Sequence, residues 1–148
     1  MYSRFADQNK TASDFYNEVW VVCPACSKKA IAKTNSEKKM ARLQCMACGY
    51  NKEVTMEAEV LNHKVLNITA AHRFFNAKLW LQHPFKYELF CAYNGAHLNY
   101  LEQYIAASLR EHKDRTHFTL LEKLPKFYHE AKNRKALLGI IEKLKKKL

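Results

Sequence analysis

Glycine is nearly missing from this chain. Only Gly49, Gly95 and Gly139 occur, so no glycine-rich loop exists to cradle a phosphate or a nucleotide. The zincin pattern His-x-x-x-His is absent too, and the seven histidines (His63, His72, His83, His97, His112, His117 and His129) are scattered. No run of 18 uncharged apolar residues is present, which excludes a membrane-spanning helix of ordinary length. The first stretch, "MYSRFADQNKTASDFYNEVW", carries Arg4, Asp7, Lys10, Asp14 and Glu18 and lacks an apolar core of the signal-peptide kind. The expectation is a cytoplasmic chain, in a reducing compartment, with no membrane partner and no small-molecule substrate.

Acidic residues are also scarce, 14 against 25 Lys and Arg, for a net charge of +11. The excess is local. Residues 21–53 hold seven cations and two acids, and residues 126–148 hold eight and two, whereas residues 54–109 balance. Charge of this kind implies phosphate-bearing or acidic partners, and it says nothing about fold.

What the chain does have is cysteine in a pattern. Cys23-Pro24-Ala25-Cys26 is followed after 18 residues by Cys45-Met46-Ala47-Cys48 and Gly49. In a reducing compartment, paired Cys-x-x-Cys turns are more often metal ligands than disulfides. A fifth cysteine, Cys91, has no partner in the pattern and counts against a disulfide framework. Two matched pairs without a strand–helix–strand context also argue against thioredoxin-like chemistry. Two such turns supply four thiolates from two directions, the donor set of a structural zinc, closed because no position remains for water. The expected cofactor is one structural zinc ion on Cys23, Cys26, Cys45 and Cys48.

The loop between the knuckles reads as strand "KAIAKT", turn "NSEKK" and strand "MARLQC", and "YNKEVTMEAEV" as a third strand. Lys28, Lys29, Lys33, Lys38, Lys39 and Arg42 then sit on a metal-held platform. Two readings stand: a solvated surface that keeps the module soluble, or a face for phosphate.

Beyond residue 60, "KLWLQ" and "YELFCAYN" read as two paired strands with Pro84 in their turn. Asn94 is placed to cap a helix over "GAHLNYLEQYIAASLREHK", with Leu98, Leu101, Ile105 and Leu109 on one face and Arg110 and Lys113 near its end. Pro125 breaks the connection that follows. Asn133 is placed to cap a last helix, with Leu137, Ile140, Ile141, Leu144 and Leu148 as its stripe. Lys143, Lys145, Lys146 and Lys147 either complement the helix dipole or touch phosphate. The expected fold is α+β: an arm (1–18), a three-stranded zinc ribbon (19–58), and a module of hairpin and C-terminal amphipathic helices (59–148).

The runs "LWLQ", "AYN…HLNYLEQYIAASLRE" and "KLPKFYHEAKNRKALLGIIEKLKKKL" resemble a family of small bacterial proteins described as transcription-factor-IIB-type zinc-ribbon proteins. The resemblance covers the chain from about residue 19, and "AYN…HL" and "AKNR" are its most specific parts. It implies a zinc ribbon and does not by itself imply a role in transcription. Relatives of this type often carry a second cysteine pair between the "LWLQ" and "AYN" runs. Here only Cys91 stands there, and with His83 it marks a candidate remnant of a second metal site.

No catalytic constellation emerges, and the chain reads as non-enzymatic. The expected function is binding of nucleic acid, DNA or RNA, through the two basic faces. The alternative is a protein-interaction adaptor, docking by its ribbon and C-terminal helix on a partner protein or a second copy.

Overall fold

In a computed structural model the described residues are 4–6, 15–107, 109–111 and 124–148, with side chains for 15–107 and 124–148. In chain order the strands are β1 (Arg4–Ala6), β2 (Glu18–Val22), β3 (Lys29–Asn35), β4 (Met40–Gln44), β5 (Asn51–Thr55), β6 (Glu57–Val60), β7 (His63–Leu66), β8 (Leu81–Phe85), β9 (Glu88–Ala92) and β10 (Leu109–Glu111). The helices are α1 (Gly95–Ala106) and α2 (Arg134–Lys145). The class is α+β, with antiparallel sheets and a C-terminal helix. The chain divides into two compact units, Phe15–Leu81 and the remainder.

The first unit is built on an antiparallel sheet of four strands in the order β2-β3-β4-β5. The expected ribbon had three, and β2 is the addition. Its "EVWVV" alternates, sending Val19 and Val21 inward and Trp20 to the opposite face. Ala30, Ala32, Ala41 and Leu43 extend the inner face. The small alanine side chains let a 3-10 turn, Ala71–Phe75, lie close against the sheet, with the Ala71 N–H donating to the Tyr16 carbonyl at 2.9 Å. The open edge of β2 is covered, since Val22 N–H donates to Lys78 and Trp80 N–H donates to Trp20, each at 2.9 Å. The unit therefore extends past the expected 19–58 module, because residues up to 81 complete its core and edge.

The single strand expected over "YNKEVTMEAEV" is broken at Met56. This side chain continues the core face of β5 (3% exposed) and its N–H makes one more in-register bond, to the Lys39 carbonyl 2.9 Å away, but its own carbonyl turns aside to accept the Asn67 N–H at 2.8 Å. Beyond it β6 and β7 form a separate hairpin whose two turn residues, Leu61 and Asn62, both have positive φ (51° and 64°), as a two-residue turn of that hand requires.

In the second unit β8 and β9 pair as expected, but Pro84 is not in their turn. The turn is at Lys86 and Tyr87, with Lys86 at φ 53°, and Pro84 lies exposed within β8. A two-stranded ribbon leaves alternate N–H groups unpaired, so a proline there loses no ladder bond. Asn94 caps α1 as expected, its side chain accepting from the His97 N–H at 2.9 Å. The helix stops at Ala106, short of the expected end. Leu109, placed on the helix stripe by its spacing, lies instead in β10 with Arg110, and β10 pairs parallel with β1. Pairing with another strand overrides helix propensity here. Lys113 lies outside the described residues.

Asn133 precedes α2 but does not cap it. Its amide donates to the Phe127 carbonyl (3.2 Å) and accepts from Lys86 Nζ (3.4 Å). The stripe Leu137, Ile140, Ile141 and Leu144 is buried, as are Leu98, Leu101 and Ile105 of α1, which packs on α2. Leu148, expected on the stripe, is exposed. Phe85, Phe90, Phe127 and Tyr128 form a stacked aromatic cluster beside the helices.

His97 gives this unit a pH dependence. It is 4% exposed, and its Nδ1 accepts the Tyr93 backbone N–H at 3.0 Å, so the ring must be neutral there. Burial pushes its pKa down to about 4. The folded pKa lies below the unfolded one, so stability is full above pH ~6.5 and is lost as pH falls toward 4. The expected loss by pH 4 is about 3 kcal/mol, and His97→Gln should flatten that part of the profile in denaturant titrations.

Candidate metal centre and the face beside it

The two knuckles share one backbone design. In the first, Cys23 N–H donates to the Lys28 carbonyl (2.8 Å) and Ser27 N–H to the Cys23 carbonyl (2.9 Å). In the second, Cys45 N–H donates to Tyr50 (2.8 Å) and Gly49 N–H to Cys45 (3.0 Å). The residue closing each loop is left-handed: Ser27 at φ 63° and Gly49 at φ 80°. Glycine takes that conformation freely and serine at a cost. Ser27→Gly should therefore stabilise the unit by about 0.5–1 kcal/mol, read as a raised denaturation midpoint.

The strands bring the sulfurs together in crossed pairs, Cys23 to Cys48 at 3.7 Å and Cys26 to Cys45 at 3.6 Å. All four lie within 4.8 Å of one another. Four thiolates about 2.3 Å from one ion would stand ~3.8 Å apart at the corners of a tetrahedron. The group is therefore positioned to hold a metal ion, as its spacing implied. The Cys48 backbone N–H helps pull the Cys45 thiol down to about 7. Cys48 moves the other way. The Tyr50 N–H favours its thiolate, but desolvation and the neighbouring thiols push it up to about 12. One thiolate forms readily and another does not, a conflict that a cation at the centre removes.

No second group of three or more metal-capable side chains converges among the described residues. His83 Nδ1 lies 2.7 Å from the Pro84 carbonyl, Cys91 lies against Tyr128, and neither belongs to a metal-capable group of three or more, so the candidate remnant site finds no support among the described residues.

The six cations expected on the ribbon fall into two sets. Lys33 and Arg42 are register partners on the outer face of the sheet, opposite the core. Lys33 pairs with Glu18 (3.2 Å) and Arg42 with Glu53 (2.6 Å), and both pairs are well exposed. Lys29 lies on the same face with Nζ 3.4 Å from the centre of the Trp20 ring. Lys28 stands exposed in the first knuckle, and Lys38 and Lys39 stand exposed in the β3–β4 turn, which Asn35 Oδ1 shapes by accepting the Glu37 and Lys38 N–H groups at 3.1 Å. At the end of α2, Lys143, Lys146 and Lys147 are exposed, whereas Lys145 is held by Glu102 (2.5 Å) and Glu142 (3.5 Å). The ribbon cations and those at the end of α2 belong to different units.

Sequence reasoning missed Trp20, Ile31, Met40 and Met46 as surface residues of this face. The alternation of "EVWVV" was the signal for Trp20, because Val19 and Val21 claim the core side. Among the described residues no helix is long and apolar enough to cross a membrane. Comparison with protein-family models, with curated proteins and with solved structures finds no match.

Proposed function

We propose that the Phe15–Leu81 unit is a zinc ribbon and that the chain is a non-enzymatic nucleic-acid-binding protein of the cytoplasm. The resemblance to transcription-factor-IIB-type zinc-ribbon proteins supports the same reading. Four thiolates and no carboxylate or histidine favour zinc, and a closed four-sulfur site is structural. Elemental analysis should return one zinc per chain.

The observation that carries the binding function is the gathering of Lys33, Lys38 and Arg42 around one depression on the metal-held sheet. Exposed ion pairs such as Lys33–Glu18 are worth about 0–1 kcal/mol, so phosphate can take the cation from its carboxylate. Lys28, Lys38 and Lys39 extend the field. Five phosphate contacts from Lys28, Lys33, Lys38, Lys39 and Arg42 would give affinity a log–log salt slope of about −4, a loss on the order of a hundredfold for a fourfold rise in salt. Fluorescence anisotropy with labelled DNA and RNA at two salt concentrations measures it. Lys38→Glu with Lys39→Glu should weaken binding at low salt on the order of tenfold or more. Weak binding that ignores salt would sink the reading.

The adaptor reading is favoured by one observation, the exposed apolar residues Val60 (52%), Leu61 (88%), Val65 (43%) and Ile68 (69%) at and beyond the β6–β7 hairpin. The α2 stripe is buried within its own unit and offers no docking face. Partners retained after nuclease treatment, and lost on Leu61→Ser, would support this second reading.

A further inference from the structure

The outer face of the β2–β5 sheet has two adjoining depressions that share Lys33 and Arg42. Phosphate alone would need only their cations, but the floor is partly apolar. Met46 rises from the second knuckle and is 84% exposed. It lines one depression with Ile31, and Met40 lines the other. Trp20 is the register partner of Ile31 on the neighbouring strand, and Lys29 lies over its ring. Apolar and aromatic surface between cations is what unpaired bases cover, because each base has a face to lay down.

We propose that this face binds a single unpaired strand of nucleic acid, with bases on Ile31, Met46 and Trp20 and phosphates along Lys33, Lys38 and Arg42. The inference rests on the nucleic-acid reading above and names its substrate class. The pattern of acids supports it. One row across the sheet runs Glu18, Lys33, Arg42, Glu53, with cations on the two central strands and carboxylates on the two outer ones. The cationic strip is thus two strands wide, with strand axes about 5 Å apart. That is room for one phosphate backbone, while the second backbone of a duplex would meet Glu18 or Glu53.

Duplex readers also insert a helix or a two-stranded ribbon into the major groove. The described residues of this unit contain no α-helix, and its ribbon, β6–β7, carries two acids, Glu57 and Glu59, against one lysine, Lys64. As phosphate draws Lys29 from the Trp20 ring, that ring face opens to a base.

The test uses the full-length zinc-loaded chain and a mixed-sequence oligonucleotide without self-pairing, alone and annealed to its complement. The single strand should bind on the order of tenfold more tightly than the duplex. Ile31→Thr with Met46→Ser should erase that preference and leave duplex binding unchanged. Met46→Ser alone, at an exposed position that the fold does not need, should lower single-strand affinity several-fold. The chain has two tryptophans, so in Trp80→Phe the fluorescence is that of Trp20. The single strand should quench it and the duplex should not.

A duplex bound as tightly as the single strand, or a preference that survives the floor variants, overturns the inference and leaves the phosphate reading standing. No binding of either form at low salt overturns both.

Discussion

Replacing Cys45 by serine should unfold the Phe15–Leu81 unit while the helical unit keeps its structure. Cys45 is 1% exposed, directly follows β4, and frames the second knuckle through both its N–H and its carbonyl. Half of the inner face of the sheet is alanine, Ala30, Ala32 and Ala41 beside Val19, Val21 and Leu43, and it lies against Ala70 and Ala71. A methyl group buries little area, so this core contributes far less than one of leucines and phenylalanines. On the zinc reading proposed above, the deficit falls to the metal. Structural zinc contributes an apparent ~10–16 kcal/mol to folding in small zinc peptides, which exceeds the whole stability of many domains. A serine hydroxyl does not replace a thiolate ligand, so most of that contribution goes. Residue-resolved NMR is the measurement. Resonances of residues 15–81 should collapse toward random-coil positions, and those of α1 and α2 should hold. A chelator added to the unsubstituted chain should reproduce the pattern. If Cys45→Ser keeps its dispersion and its melting temperature, the metal is not what holds this unit.

The metal site was legible because it is local. Two Cys-x-x-Cys turns at ribbon spacing leave few geometries, and the strands between them alternate plainly. The helices were legible by their stripes, although the end of α1 was not. Nothing between Ala106 and Leu109 forbids another turn; what ends the helix is β10 pairing with β1, about a hundred residues away in sequence. Asn133 failed for a similar reason. A cap depends on where one side chain points, and this one serves Phe127 and Lys86 instead. Met56 shows the same limit within a strand, because its alternation fits β5 and the core face, and the break comes from its carbonyl pairing with Asn67. The basic residues were legible as a set and not as a surface. Only the register shows that Lys33 and Arg42 sit side by side with carboxylates outside them.

Phe90→Ala should destabilise the second unit by about 3–5 kcal/mol, the usual cost of emptying a phenylalanine-sized space. Phe90 is fully buried and stacks on Tyr128 at 5.2 Å, and Tyr128 packs in turn on Phe127 at 4.4 Å. The cavity would open beside a polar contact, since the Cys91 N–H donates to the Tyr128 hydroxyl at 3.2 Å. Tyr128→Phe removes that acceptor together with the hydroxyl's own 3.5 Å bond to the Cys91 carbonyl, and should cost about 1–3 kcal/mol, mainly the penalty of the unpaired N–H. The comparison separates packing from hydrogen bonding at one place. Cys91 supplies an independent readout. Burial pushes its thiol above the usual value, and the thiolate is the reactive form, so alkylation of the metal-loaded chain should be slow at this residue. Mass-spectrometric mapping should show faster Cys91 labelling in Phe90→Ala and a smaller change in Tyr128→Phe. Equal midpoints and equal labelling across all three chains would mean that the helices, and not the aromatic cluster, hold the second unit together.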